Sequence, residues 1–172
     1  MVRLTEIFRQ AAQSAIVMNA HGVNQGKLPD LRNKSSDFFF LRRREPARAA
    51  DTIVELISQR LPKNMGIPPE QIQVLSPTRK TIAGTAALNR AIQEAVNPEA
   101  QGKGERRFGE FIFREGDRVM QVRNNYDLMW KERDSLTSGM GVFNGDIGQI
   151  VEVDNRNQLI KVDFDGRLVE YE

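Results

Sequence analysis

The sequence contains no cysteine and a single histidine, His21. It therefore excludes disulfide bonds, thiolate metal sites, a catalytic cysteine and any metal site built from several histidines. No adjacent serine suggests a nucleophile and base with His21, so we expect this histidine to be structural. The acidic residues form no persuasive general acid and base pair, and we predict no bound metal.

Long hydrophobic runs are also missing. Hydrophobic residues make up 40% and charged residues 28% of the chain, which is ordinary for a soluble globular protein. No apolar stretch approaches the ~18–20 residues that a bilayer crossing requires, and the start MVRLTEIF lacks the pattern of a secretory signal. We expect a cytoplasmic protein with no membrane partner.

A phosphate-binding P-loop is absent as well. Such a loop needs Gly-x-x-x-x-Gly-Lys followed by Ser or Thr, because backbone amides and the lysine together surround the phosphates. Gly26-Lys27 and Gly102-Lys103 both lack the hydroxyl residue and the earlier glycine. No apolar strand ends in an acidic pair suited to magnesium. We therefore expect no ATP hydrolysis by this chain alone.

Charge is unevenly divided along the chain. Residues 1–98 hold 14 Lys and Arg against 8 Asp and Glu, whereas residues 99–172 hold 11 against 15. The basic first segment favours a polyanionic partner. A solvated basic surface accounts for the charge equally well.

Residues 1–98 alternate between helical and strand patterns. Apolar residues at helical spacing predict three helices, and short apolar runs predict two buried strands between them. The helices cover Gln13–Gln25, Pro46–Leu61 and Ala83–Val96, and the strands Asp37–Arg42 and Ile72–Ser76. Such alternation favours a parallel sheet covered by helices.

The period changes after residue 110. The glycine-rich, charged segment 99–110 is typical of a linker. Beyond it, alternating apolar and polar residues predict about five short strands, which is the pattern of a small antiparallel barrel. The clearest cover Arg118–Val122, Gln149–Val153, Leu159–Phe164 and Arg167–Tyr171, and the turns lie at Asn144-Gly145, 155–157 and Asp165-Gly166.

The segment LTEIFRQAAQSAIVMNAHGVNQGKLP resembles a motif of RecD-like superfamily 1 DNA helicases. The resemblance implies that Arg9 of Phe-Arg-Gln is catalytic and reaches the γ-phosphate of ATP, and that Arg9 and Gln10 belong to the nucleotide site. A guanidinium there would neutralise charge on the transferring phosphoryl group. The alternative is that Arg9 merely precedes a helix.

The segment VLSPTRKTIAGTAALNRAIQEAVNP is similar to a second stretch of the same family. A strand that opens into a helix brings hydroxyls, amides and cations together where backbone phosphates could bind. We expect single-stranded DNA to contact Ser76, Thr78, Arg79 and Lys80. Asn89 either touches the DNA or braces this loop.

A third resemblance covers FREGDRVMQVRNNYDLMWKE and GVFNGDIGQIVEVD. In the family these residues belong to a Src-homology-3-like barrel inserted into the second motor domain. Tyr126 or Trp130 could stack on a base, and polar residues could bind phosphates or base edges; these are Arg123, Asn124, Asn125 and Asn144. Alternatively both rings are barrel core and Asn144-Gly145 is only a type I′ turn.

The resemblance implies an α/β fold in which part of a RecA-like parallel sheet with helices (1–98) and a linker (99–110) precede the small antiparallel barrel (111–172). The chain would begin and end inside a larger ATP-dependent helicase that translocates on single-stranded DNA and unwinds duplex. ATP and Mg would be held mainly by a motor domain outside this sequence. We expect single-stranded DNA and the rest of the helicase as partners. A stand-alone nucleic-acid-binding module and a peptide-docking barrel are the alternatives.

Overall fold

The computed structural model describes residues 14–32 and 37–172, which divide into the units Met1–Arg44 and Glu45–Glu172. In the first unit, α1 (Ala15–Asn24) begins at Ser14, whose hydroxyl accepts a hydrogen bond from the amide of Val17 and donates one of 2.6 Å to Asp37. The helix predicted over this segment is confirmed.

The second unit begins with helices. Helix α2 (Pro46–Glu55) runs into a π-helical turn and then α3 (Leu61–Met65), and α4 (Thr85–Val96) follows after a loop. The predicted end at Pro62 is wrong. Pro62 lies in the first turn of α3, directly after the π-helical turn, and the helical path continues until Gly66 adopts φ 66°.

The predicted parallel sheet is absent from the described residues, in which both sheets are antiparallel. Neither Asp37–Arg42 nor Ile72–Ser76 forms a strand, and Leu75 is 88% exposed rather than buried. A run of apolar residues favours extended backbone, but a parallel strand also needs hydrogen-bonded neighbours. Within the described residues neither run belongs to a sheet, so the prediction of strands there is wrong.

Eight strands make up residues 105–172, which we call the β-domain. β1 (Glu105–Phe108) and β2 (Phe111–Arg114) form a hairpin, so the end of the predicted linker is a strand. The other strands form one six-stranded sheet in the order β3-β6-β7-β8-β4-β5. They are β3 (Arg118–Met120), β4 (Asn125–Glu132), β5 (Ser138–Val142), β6 (Ile147–Asp154), β7 (Leu159–Phe164) and β8 (Arg167–Tyr171).

The core of the β-domain is built from the inward residues of these strands. Ile150 faces Val162, and Val162 in turn faces Val169, across adjacent strands, so their side chains shield each other from water. The buried cluster comprises Val142, Ile150, Val153, Val162, Phe164 and Val169. Among the described residues, no helix combines the length and apolar character that crossing a membrane demands.

Candidate nucleic-acid interface

Two exposed aromatic rings, Tyr126 and Phe143, lie against each other beside the β4–β5 pair. Their centroids are 5.7 Å apart and their planes make an angle of 71°. Tyr126 is 65% and Phe143 42% exposed. An edge-to-face pair leaves ring surface open to a further aromatic group. We call Tyr126 and Phe143 the aromatic pair.

Asn124 braces the aromatic pair. Its side-chain carbonyl accepts a hydrogen bond of 2.8 Å from the backbone amide of Asn144, and its Nδ2 donates one of 3.1 Å to the hydroxyl of Tyr126. Asn125 accepts a hydrogen bond from the amide of Asp127. Asn124 and Asn125 therefore shape this corner of the β-domain, in addition to any contact that they make with a ligand.

The turn that carries Phe143 is not the type I′ turn that was considered as an alternative. A type I′ turn needs positive φ at both central residues, but only Gly145 has it, at 97°. The amide of Asp146 donates to the carbonyl of Phe143, at 3.0 Å, and the Asp146 carboxylate accepts from the amide of Phe143, at 2.9 Å. Both ends of the turn are therefore fixed, which holds the Phe143 backbone in place.

Gln121, which was not predicted as a site residue from the sequence, also stabilises this corner through hydrogen bonds. Its Nε2 donates to the carbonyl of Arg123, at 2.7 Å, and its Oε1 accepts from the hydroxyl of Tyr171, at 2.9 Å. Burial, aided by the nearby negative charge of Asp146, raises the pKa of Tyr171 to about 12. The phenol therefore keeps the proton that it donates to Gln121.

Trp130 belongs to the core rather than to the exposed corner. It packs against the buried cluster, and the guanidinium carbon of Arg167 lies 5.8 Å from its ring centroid. Gly139 faces Trp130 on the adjacent strand, where a Cβ would overlap the indole. The interpretation of Trp130 as core is thus confirmed, whereas the same interpretation of the exposed Tyr126 is wrong.

The loop between residue 76 and α4, which we call the 76–84 loop, is closed on itself. The Ser76 hydroxyl donates to the carbonyl of Ala83, at 2.9 Å, and the hydroxyls of Thr78 and Thr81 lie 2.7 Å apart. The amide of Thr85, in the first turn of α4, donates to the Thr78 carbonyl at 3.0 Å. The hydroxyls and this helix amide therefore have partners inside the protein.

The two cations of the 76–84 loop, Arg79 and Lys80, are exposed to solvent. The 2.7 Å separation between an ideal Cβ at Gly84 and the Arg79 carbonyl shows how closely the backbone is packed beneath them. Asn89 is exposed on α4 and makes no hydrogen bond to the loop within 14–32 and 37–172. The bracing role considered for Asn89 therefore has no support.

The remaining predicted site residues, Arg9 and Gln10, lie outside the described residues. In the part of the chain that the structure describes, no three His, Asp or Glu side chains are grouped to hold a metal ion. The described candidates thus form two separate groups within one unit, the aromatic corner of the β-domain and the 76–84 loop.

Comparisons with known proteins bear on both groups. Residues 88–164 match the family described as the ATP-dependent RecD-like DNA helicase SH3 domain, which includes most of α4 and the aromatic pair. The chain is also 31% identical over 169 residues to an ATP-dependent RecD2 DNA helicase of Deinococcus radiodurans, an alignment that covers 98% of this chain. The chain spans 20% of that relative's length. The chain is therefore similar to a segment of a RecD-like DNA helicase, and residues 88–164 match the SH3 domain of that family.

Proposed function

We propose that the β-domain binds single-stranded DNA by stacking bases on Tyr126 and Phe143, as part of an ATP-dependent DNA helicase. The observation that carries this proposal is an exposed, braced aromatic pair in a domain of a helicase family. Each base that stacks on an aromatic side chain gains about 1–3 kcal/mol. Single strands are favoured over duplex because their base faces are accessible.

Polar groups around the aromatic pair suit the DNA backbone and base edges. Arg123, Asn125 and Asn144 are exposed beside Tyr126, and an arginine with two amides can bond phosphate oxygens or bases. Asn124 acts mainly on the protein side, because both ends of its amide already have partners.

The second DNA contact in this proposal is the 76–84 loop. Arg79 and Lys80 pair with backbone phosphates, which makes binding weaken as salt rises. Ser76 and Thr78 shape the loop through their internal hydrogen bonds, and Asn89 offers an exposed amide on the helix that follows.

For the full-length protein we extend the proposal to ATP-driven translocation on single-stranded DNA and duplex unwinding in the cytoplasm. Arg9, with Gln10 beside it, senses the γ-phosphate of a nucleotide held with Mg by another motor domain. Residues 1–98 then belong to the second motor domain, whose parallel sheet needs strands beyond those described. The Deinococcus relative, an ATP-dependent DNA helicase by name, supports this extension.

Peptide docking is a second candidate, favoured by a cavity of about 300 Å³ in the β-domain. Arg106 lines it, and the buried Nη1 of Arg106 has no hydrogen-bond partner among the described residues. Aromatic residues also line it, namely Phe108, Phe113, Phe164 and Tyr171. A ligand with an apolar side chain beside a carboxylate would fit these groups.

Fluorescence anisotropy with a labelled oligothymidylate of about 16 nucleotides, the upper site size of a small binding domain, tests the DNA function. We expect Tyr126→Ala to weaken binding about 5-fold to 100-fold, and Tyr126→Trp to retain it. Phe108→Ala is the matched control, because Phe108 is 73% exposed but lies on the β1–β2 hairpin. Equal affinities of wild type and Tyr126→Ala would refute stacking at this corner.

A further inference from the structure

A single buried charge joins α4 to the β-domain. Arg114 ends β2 and is 2% exposed. Its Nη2 donates to Glu94 at 3.0 Å, its Nη1 donates to the carbonyl of Asn97, and its Nε donates to Glu105. One guanidinium thus contacts the last turns of α4 and strand β1 together.

Polar side chains at the end of α4 surround this contact with further bonds to β2 and to the residues between β2 and β3. Gln93 donates to the carbonyl of Ile112, at 2.8 Å, and to Asp117, at 2.5 Å. Asn97 donates to the other carboxylate oxygen of Asp117, at 2.8 Å, and to the Glu115 carbonyl. We call Gln93, Glu94, Asn97, Arg114 and Asp117 the junction.

The junction holds α4 and the β1–β2 hairpin together. Burial alone would lower the pKa of Arg114, but the ion pairs with Glu105 and Glu94 raise it above its ordinary value, so the guanidinium stays charged. A buried charge that loses its partners is strongly destabilising. If α4 moved away from β2, Arg114 would lose Glu94 and Asn97 at the same time.

A further bond links the β-domain to the segment that enters the 76–84 loop. Arg118 of β3 donates to the carbonyl of Ile72, at 3.0 Å. Within the loop, the Thr78 carbonyl accepts a hydrogen bond from the amide of Thr85, and the loop leads directly into α4. The loop is therefore anchored to the β-domain at its entry and, through α4 and the junction, at its exit.

We propose, on the basis of the DNA function above, that Arg114 is a positioning residue that holds the 76–84 loop and the aromatic pair as one rigid two-point grip on single-stranded DNA. Once either point binds, a fixed separation presents the other to the same strand at high effective concentration. The grip then moves as a unit in any motion of the helicase.

The absence of cysteine allows spin labels on two introduced cysteines to test this rigidity. We choose Ala87 on α4 and Lys131 on β4, both exposed, and measure their distance distribution by pulsed electron paramagnetic resonance. We expect a narrow distribution in the otherwise unchanged chain and a broad one after Arg114→Met. Glu94→Gln, whose residue is 55% exposed, is the milder variant if Arg114→Met does not fold. Exposed Glu99→Gln is the control.

The affinities of the same variants for short and long oligothymidylates test two-point DNA binding separately from the rigidity that Arg114 provides. We expect the junction variants to bind short strands, which reach one point, as wild type does, and to lose about 10-fold on strands that reach both. A distribution that stays narrow in folded Arg114→Met and Glu94→Gln would overturn the role of Arg114. A second outcome is that the distance distributions broaden in these variants while no protein, wild type included, binds DNA. That outcome would overturn the DNA function and support the role of the junction.

Discussion

The side chain of Asn124, between β3 and β4, accepts a hydrogen bond of 2.8 Å from the backbone amide of Asn144, in the turn between β5 and β6. The same side chain donates to the hydroxyl of Tyr126, and Asn144 directly follows Phe143 in the chain. One amide group therefore fixes the two members of the aromatic pair relative to each other, which is the arrangement that a preorganised stacking surface requires.

We expect Asn124→Ala to weaken single-stranded DNA binding about 3-fold to 10-fold, because losing two hydrogen bonds of about 0.5–1.5 kcal/mol each loosens the aromatic pair. Anisotropy measures the affinity, and thermal unfolding reports stability. Asn64→Ala, at an exposed position on α3, is the control. A lower melting temperature with unchanged affinity would show that Asn124 is structural only.

Replacing Arg79 and Lys80 together by alanine removes two exposed cations of the 76–84 loop. We expect weaker binding to single strands and a flatter dependence of affinity on salt, with the slope reduced by about 1.4, since each phosphate contact contributes about 0.7. Arg60→Ala with Lys63→Ala removes an equal charge from another exposed surface. An unaltered slope in the loop variant would exclude the loop from the interface.

Ser76→Ala tests whether the loop depends on its internal hydrogen bonds. The variant loses the bond to the Ala83 carbonyl, which is worth about 1 kcal/mol, so amides of the loop should exchange with deuterium faster. Ser58→Ala is matched, because that hydroxyl bonds a carbonyl of its own helix. Equal exchange in wild type and Ser76→Ala would assign the loop shape to other contacts.

The raised pKa of Tyr171 predicts a specific alkaline behaviour. Folding raises the pKa of Tyr171 from 10.0 to about 12. The protonated phenol therefore contributes fully to the free energy of unfolding below pH 10, and this contribution is lost as pH rises through 12. Tyr126→Phe leaves Tyr171 as the sole tyrosine, since the chain has two, and ultraviolet absorbance then follows its phenolate directly. Ionisation near pH 10 in a folded protein would contradict the burial of the Tyr171 phenol beside Asp146.

If Arg9 senses the γ-phosphate as proposed, Arg9→Ala in the full-length protein should abolish DNA-stimulated ATP hydrolysis and leave nucleotide binding intact. An arginine that stabilises phosphoryl transfer accelerates it about 10³-fold to 10⁵-fold. Arg3→Ala, in the same segment, is the control. Unchanged turnover in Arg9→Ala would remove Arg9 from the mechanism.

Local signals in the sequence predicted part of the fold well. Asp165 and Gly166 both adopt positive φ, as expected of a tight turn between alternating strands. By contrast, β4 was missed because a register shift between Asn125 and Met129 interrupts its alternation, and β5 because it contains two glycines. The extended run Ile72–Ser76 carries no information about which strands would pair with it.

The candidate site was predictable only where a residue type itself marks a function. Tyr126, Arg79 and Lys80 were identified as a stackable ring and two cations within the segments that resemble RecD-like helicases. Phe143 had a usable signal, because it follows buried Val142 and precedes Asn-Gly, which places it outside the strand alternation. Gln121 and Arg114 had none, since their roles depend on partners such as Tyr171 and Glu94 that are distant in sequence.

Photocrosslinking with oligonucleotides that carry 5-iododeoxyuridine tests the central claim most directly, because the halogenated base joins to aromatic rings on which it stacks. Mass spectrometry then locates the adduct among the 9 Phe, 2 Tyr and 1 Trp. Our account predicts adducts at Tyr126 or Phe143, and a lower yield of these adducts in Asn124→Ala. Adducts confined to Phe108 or other rings, with none at the aromatic pair, would contradict it.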